Sequence, residues 1–107
     1  MKIAVPSMGD DDRSQISSTL GRCKSILIYD SETKKYSVAA NPGISLKDGS
    51  GIKAVEIIIK AGADILLTKE IGVKAYSVLA KERVAVMLIN AVAAVDEAVK
   101  TYLKNSR

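Results

Sequence analysis

Residues 51–89 read GIKAVEIIIKAGADILLTKEIGVKAYSVLAKERVAVMLI. Gly51, Ala54, Val55, Ile58 and Ile59 recur at i, i+3, i+4, i+7 and i+8, the stripe of an amphipathic helix. Ser50 suits the N-cap of that helix and Gly62 its C′ position. Glu56 and Lys60 are spaced for an exposed i,i+4 pair. Asp64–Thr68 (DILLT) is a continuous apolar run of strand length, expected to be covered on both faces. Gly72, Ala75, Tyr76, Leu79 and Ala80 repeat the helical stripe, which places Tyr76 in the core. Val84–Ile89 (VAVMLI) reads as another fully buried strand. Strand, helix and strand in this order predict a right-handed crossover between parallel strands.

Beyond this stretch, Val95, Ala98, Val99, Tyr102 and Leu103 make a last helical stripe. Its acids, Asp96 and Glu97, come early and its bases, Lys100 and Lys104, come late, as the helix dipole prefers. In the other direction lie three strand-like segments: Lys2–Pro6 (KIAVP), Ser25–Asp30 (SILIYD) and Lys35–Ala40 (KYSVAA). The intervening SETK predicts a hairpin between the last two, and Asn41-Pro42-Gly43 breaks the chain after them. Ser7 to Ser18 is polar and turn-rich and reads as a mobile loop. Its Asp10, Asp11 and Asp12 are consecutive, without the alternation or closing glutamate of a calcium loop, so a solvated loop is expected. The order is β-β-β-α-β-α-β-α. It predicts one α/β domain over residues 1–107, a mixed sheet flanked by helices.

Composition narrows the function. The 107 residues are 48% hydrophobic and 26% charged, which is globular and not disordered. No apolar run approaches the roughly 20 residues of a membrane span. The opening MKIAVPSMGDDDR does not read as a secretory signal, and the single cysteine suits a reducing, cytoplasmic setting. The net charge of +4 favours an anionic ligand, but its bases are scattered rather than clustered, which argues against nucleic acid. With no histidine, Ser-His-Asp and Cys-His catalysis are excluded, as are zinc sites that mix cysteine with histidine. A lone thiol excludes all-cysteine zinc sites as well.

In an open α/β sheet, ligands sit outside the carboxyl ends of the parallel strands. Those ends are Pro6–Ser7, Lys69–Gly72 and Asn90–Val92. Lys69-Glu70-Ile71-Gly72 ends a strand and opens a helix, so its free N–H groups, with Lys69 and Lys74, form either an anion site or a plain tight connection. Cys23 lies between Arg22 and Lys24. Neighbouring positive charge lowers a thiol pKa and favours a metal-binding thiolate. The other reading of Cys23 is a small buried residue at a strand start. Asn41 belongs to a turn expected near the same edge.

Several segments, taken in order, resemble one family. They are KIAVP, Ser17-Ser18-Thr19-Leu20-Gly21-Arg22-Cys23, Asn41-Pro42-Gly43, Ile71-Gly72 before Lys74-Ala75, and the closing Val95–Leu103 segment. Together they resemble the dinitrogenase iron–molybdenum cofactor biosynthesis family, the NifX/NafY-like single-domain proteins. The resemblance covers nearly the whole chain. It implies a ribonuclease H-like fold, a five-stranded mixed sheet with strand 2 antiparallel. Members bind or carry metal–sulfur clusters, and one holds a molybdenum–copper sulfide cluster without covalent links.

The expectation is therefore a small cytoplasmic carrier or scaffold, not an enzyme, for an iron–sulfur or molybdenum-containing sulfide cluster. Cys23 is expected as thiolate ligand or sulfur-proximal contact, and Arg22 and Lys69 as neutralising charges. N–H groups near Gly72 would bond to sulfide, and Asn41 would line the rim. The alternative is a protein-interaction module that docks onto cluster-assembly proteins and binds no cofactor. A nucleotide- or phosphate-binding enzyme ranks last, for want of a Gly-rich phosphate loop. Lys2-Ile3-Ala4-Val5 has no acid, which argues against a two-metal nuclease.

Overall fold

The structure, a computed structural model, describes residues 1–42, 50–90 and 94–105. Its elements are β1 (Lys2–Ser7), β2 (Ser25–Asp30), β3 (Lys35–Ala40), α1 (Ser50–Lys60), β4 (Ile65–Thr68), α2 (Val73–Lys81), β5 (Ala85–Leu88) and α3 (Val95–Asn105). Gly43, the loop to Asp48, and residues 91 and 92 lie outside the described residues. Ser50 is itself the first residue of α1 rather than the residue before it.

The strands form one mixed sheet in the order β3-β2-β1-β4-β5. β1, β4 and β5 pair in parallel, while β2 is antiparallel to both β1 and β3. β2 therefore runs alone against the other four. The alternation of side chains along a strand divides the core in two. Ala4, Ile26, Ile28 and Leu66 face α1 and α2, packing with Ala54, Val55, Ile58, Ala75 and Leu79. Ile3, Val5, Leu27, Ile65 and Leu67 face α3, packing with Val95, Ala98 and Val99. Burying a side chain such as Ile58, fully removed from solvent, contributes about 1.5–3 kcal/mol.

Helix ends are set by local chemistry. At the end of α1, Gly62 (φ 75°) donates to Ile59 O and Ala63 donates to Ile58 O. This 5→2 and 6→1 pair is a Schellman motif, and Gly62 holds the C′ position its sequence predicts. At the end of α2 the same pattern recurs, Arg83 N donating to Ala80 O and Val84 N to Leu79 O. There the C′ residue is Arg83, at φ 62°. In the β2–β3 hairpin, Lys34 takes φ 59°, and the Asp30 carboxylate accepts from Glu32 N at 2.9 Å.

Several expectations are corrected. β5 is not fully buried: it is the edge strand, with Met87 43% and Leu88 59% exposed. An apolar run looks the same at a sheet centre and at its edge, and only β4, flanked on both sides, is buried throughout. Tyr76 is 52% exposed rather than core, because α2 buries only Ala75 and Leu79. The described ion pair on α1 is Lys53–Glu56 at 3.5 Å, one turn earlier than the expected Glu56–Lys60 pair. The loop after β1 is tied down rather than loose. Met8 N bonds to Gln15 O, Ser17 N to Pro6 O, Val95 N to Ser14 O and Asp96 N to Asp12 O.

Candidate functional site: an open groove at the helix starts

An open groove of about 910 Å³ lies beyond the carboxyl ends of β4 and β5, on the face covered by α1 and α2. That is within the size range of small-molecule sites. Three chain segments build it: residues 19–22 before β2, the first turn of α1 through Gly51 and Ile52, and residues 69–75 from the end of β4 into α2. Leu88 closes its rim from β5. Of the residues singled out from sequence, Arg22, Lys69 and Gly72 line this groove together, and Lys74 joins them.

The connection after β4 has an internal brace. Thr68 is fully buried, and its hydroxyl donates to the carbonyl oxygen of Glu70 at 3.1 Å. Gly72 then serves as N-cap of α2 with extended backbone (φ −76°, ψ 159°) and no side-chain capping bond. The first N–H groups of any helix lack partners within it. Neither α1 nor α2 has an acid in its first turn, whereas α3 has Asp96 and Glu97 there. Two positive helix ends uncompensated by first-turn acids thus open on a groove whose side-chain charges, among the described residues, are Arg22, Lys69 and Lys74 against Glu70.

Cys23 lies behind this wall, not in it. Its side chain is 0% exposed and packs within the α1/α2 core. Burial pushes its thiol up from the ordinary value, with the Asn41 amide only partly opposing. The expected lowering by Arg22 and Lys24 is therefore overturned. The chain alternates here, Arg22 out, Cys23 in, Lys24 out, and Lys24 Nζ instead sits 3.2 Å from the Asp10 carboxylate. That carboxylate also accepts from Ser25 Oγ at 2.5 Å, and these two partners hold the Asp10 pKa below its usual range.

Asn41 is likewise behind the wall, 3% exposed. Its Nδ2 donates to Gly21 O (3.2 Å) and Cys23 O (3.0 Å), with Cys23 Sγ at 3.5 Å. Its own N–H donates to Lys24 O at 3.1 Å. Asn41 thus shapes the loop that presents Arg22. Ser17 shapes the same loop from its other end, donating to Thr19 O at 2.8 Å.

The groove residues that sequence reasoning did not single out as site residues include Gly51, Ile52, Val73 and Leu88. Gly51 counts as an apolar position on the α1 stripe, so its place at the groove is hidden by periodicity alone. Acids at the other end of the sheet play no part: Asp64 accepts from Lys2 N at 2.7 Å, before β4 begins. Among the described residues, no group of three or more His, Cys, Asp or Glu could hold a metal ion. No helix among them is long and apolar enough to cross a membrane.

Known proteins share this fold and part of the sequence. The apo form of the orange protein from Desulfovibrio gigas superposes with a TM-score of 0.90 at 28% identity, covering 96% of this chain and 87% of that one. A NifB-like protein from Thermotoga superposes with a TM-score of 0.84 at 28% identity, covering 97% and 88%. An uncharacterised protein of Methanocaldococcus jannaschii is 29% identical, covering 97% of this chain and 86% of its own length. The family model described as dinitrogenase iron-molybdenum cofactor matches residues 1–105, which takes in every described residue. With that match spanning all three groove-building segments, the chain belongs to the dinitrogenase iron-molybdenum cofactor family.

Proposed function

We propose that the protein is a carrier or scaffold, not a catalyst, for an anionic metal–sulfur cluster used in cofactor assembly, and that the cluster rests in the groove. The observation that carries this reading is the convergence of two acid-free helix starts with Arg22, Lys69 and Lys74 around one open space. The strand order and the single reversed strand support the ribonuclease H-like assignment for the scaffold. A chain with a single cysteine, and so without an intrachain disulfide, supports a cytoplasmic setting.

The cargo would be an iron–sulfur or molybdenum-containing sulfide cluster held as an anion. Arg22 and Lys69 supply opposing charge, and backbone N–H groups after Gly72 donate to sulfide. Cys23 keeps a part only as packing behind the loop, since a sealed, protonated thiol is no metal ligand. Asn41 acts through the loop rather than by touching the cargo.

The test is anaerobic incubation with tetrathiomolybdate and copper, and separately with iron and sulfide, followed by desalting. Retained metal with a visible charge-transfer band is the expected result. A folded sample that retains neither metal nor band in both incubations overturns the reading. Exposed Val73 and Leu88 on the groove wall favour a second reading, a docking module for cluster-assembly proteins. It gains if a partner binds the cluster-free protein and that binding survives Arg22→Ala and Cys23→Ala.

A further inference from the structure

A sheet edge presents unpaired N–H and C=O groups, and folds normally guard it with lysine or proline. The two edges here differ. β3 opens on Lys34-Lys35 and is followed closely by Pro42. β5 has no such guard, since residues 84–89 hold neither charge nor proline. Ala85 N and Ile89 N bond to Asp64 O and Thr68 O on the β4 side, so by alternation the polar backbone groups of Val86 and Leu88 point outward. The Met87 and Leu88 side chains are exposed as well. α2 continues this surface. Its Ala75 and Leu79 point into the core, and Lys74 lines the groove shared with α1. Helical spacing puts Tyr76 and Ala80 on the opposite flank, away from α1, and both are exposed.

Charge selects the occupant of this face. Glu70 stands just before α2 and Arg83 just after it. Both are exposed, and neither joins an ion pair among the described residues. Arg83 also keeps a left-handed φ of 62° at a C′ position that glycine normally fills, as Gly62 does on α1. A two-fold rotation that sets β5 antiparallel to β5 also sets α2 antiparallel to α2. The end of each helix, with Arg83, then faces the start of the other, with Glu70. One chain supplies both halves of the complement.

We propose that a second copy of this chain is the partner: two molecules join antiparallel along β5, merging two sheets into one, with α2 packed on α2. Met87 faces Met87 at the two-fold axis, and Val86 pairs with Leu88 on either side, an apolar match at each step. Arg83 of the second copy stands beside Glu70 on the groove wall and offsets the acid there. This interface goes beyond the carrier reading and does not depend on it.

The experiment is sedimentation equilibrium of the full chain from about 10 μM to about 1 mM, the range of weak association. The mass is expected to rise from one chain toward two. Met87→Lys sets lysine against lysine across the axis at an exposed position, and is expected to remain a single chain with parent-like thermal unfolding. Glu70→Arg and Arg83→Glu are each expected to weaken association about five- to tenfold, two symmetric contacts being lost in each. The double variant is expected to recover it, which a folding fault in either single variant would not allow. A parent that stays a single chain throughout overturns the inference. So does a dimer that Met87→Lys leaves intact, or a double variant no tighter than the single ones.

Discussion

The side-chain amide of Asn41 bridges the carbonyl oxygens of Gly21 and Cys23, at 3.2 and 3.0 Å, and so fixes the bend from which Arg22 projects. An amide this deeply placed is hard to replace. Asn41→Ala leaves two carbonyls short of a donor, and each such loss costs about 1–3 kcal/mol when water cannot substitute. The expected outcome is a drop of about 2–4 kcal/mol in urea unfolding, with weaker metal retention. An unfolding midpoint equal to that of the parent would show the bridge to be dispensable.

Cys23 offers a prediction about reactivity and pH. A sealed thiol is expected to resist alkylation in the folded protein and to react fully in urea, as mass spectrometry would read. Its folded-state pKa is raised above the ordinary 9.0. The folded protein therefore holds this proton more tightly than the unfolded chain does. Its contribution is present in full below the unfolded value and is lost as pH climbs from about 9 toward the folded value. Tyr36, pushed up to about 12 by burial and by the nearby Asp12 and Asp96 charges, acts in the same direction above pH 10. Alkaline unfolding of Cys23→Ala should have a shallower pH dependence between about pH 8.5 and 10 than the parent. Equal slopes would place the loss elsewhere.

Charge removal separates the groove from the core. Arg22→Ala and Lys69→Ala should each weaken metal retention about three- to tenfold, the scale of one partly exposed charge contact. Lys69→Ala should change unfolding stability by no more than about 0.5 kcal/mol, the usual scale at a partly exposed side chain. Retention by the parent should also fall as salt rises from about 0.1 to 1 M, where the screening length contracts from about 10 to 3 Å. Salt-independent retention would rule out an electrostatic seat.

Arg83 does at the end of α2 what Gly62 does at the end of α1, but with a side chain in the left-handed region. Relieving that position by Arg83→Gly should raise stability by about 0.5–1 kcal/mol, set against the greater freedom glycine gives the unfolded chain. Gly62→Ala should cost at least about 1 kcal/mol. Urea melts of the two variants check both signs at once.

Much of this architecture is legible in the chain. β2 and β3 follow from two short strand-like segments and the polar turn between them, and their observed bounds are the expected ones. Ala54, Val55 and Ile58 lie fully buried where the helical stripe places them. Arg22, Lys69 and Gly72 meet because the loops at strand ends gather on one side of a parallel sheet, a rule of topology rather than of local sequence. What a linear reading misses is direction. Charged neighbours suggest an activated Cys23, but a strand about to begin turns alternate residues inward, and the sulfur goes with the core. The exposure of β5 depends on which strand is outermost, and the position of Gly51 on how α1 meets α2. Neither is written in any short window.

On the carrier reading proposed above, a host whose only thiol is locked away has no thiolate bond to its guest that must be broken at the moment of transfer. Departure then needs neither a proton, an electron nor a competing thiol. It needs only a receiver with a deeper well of positive charge, so traffic through such a protein would run downhill from one cationic berth to the next.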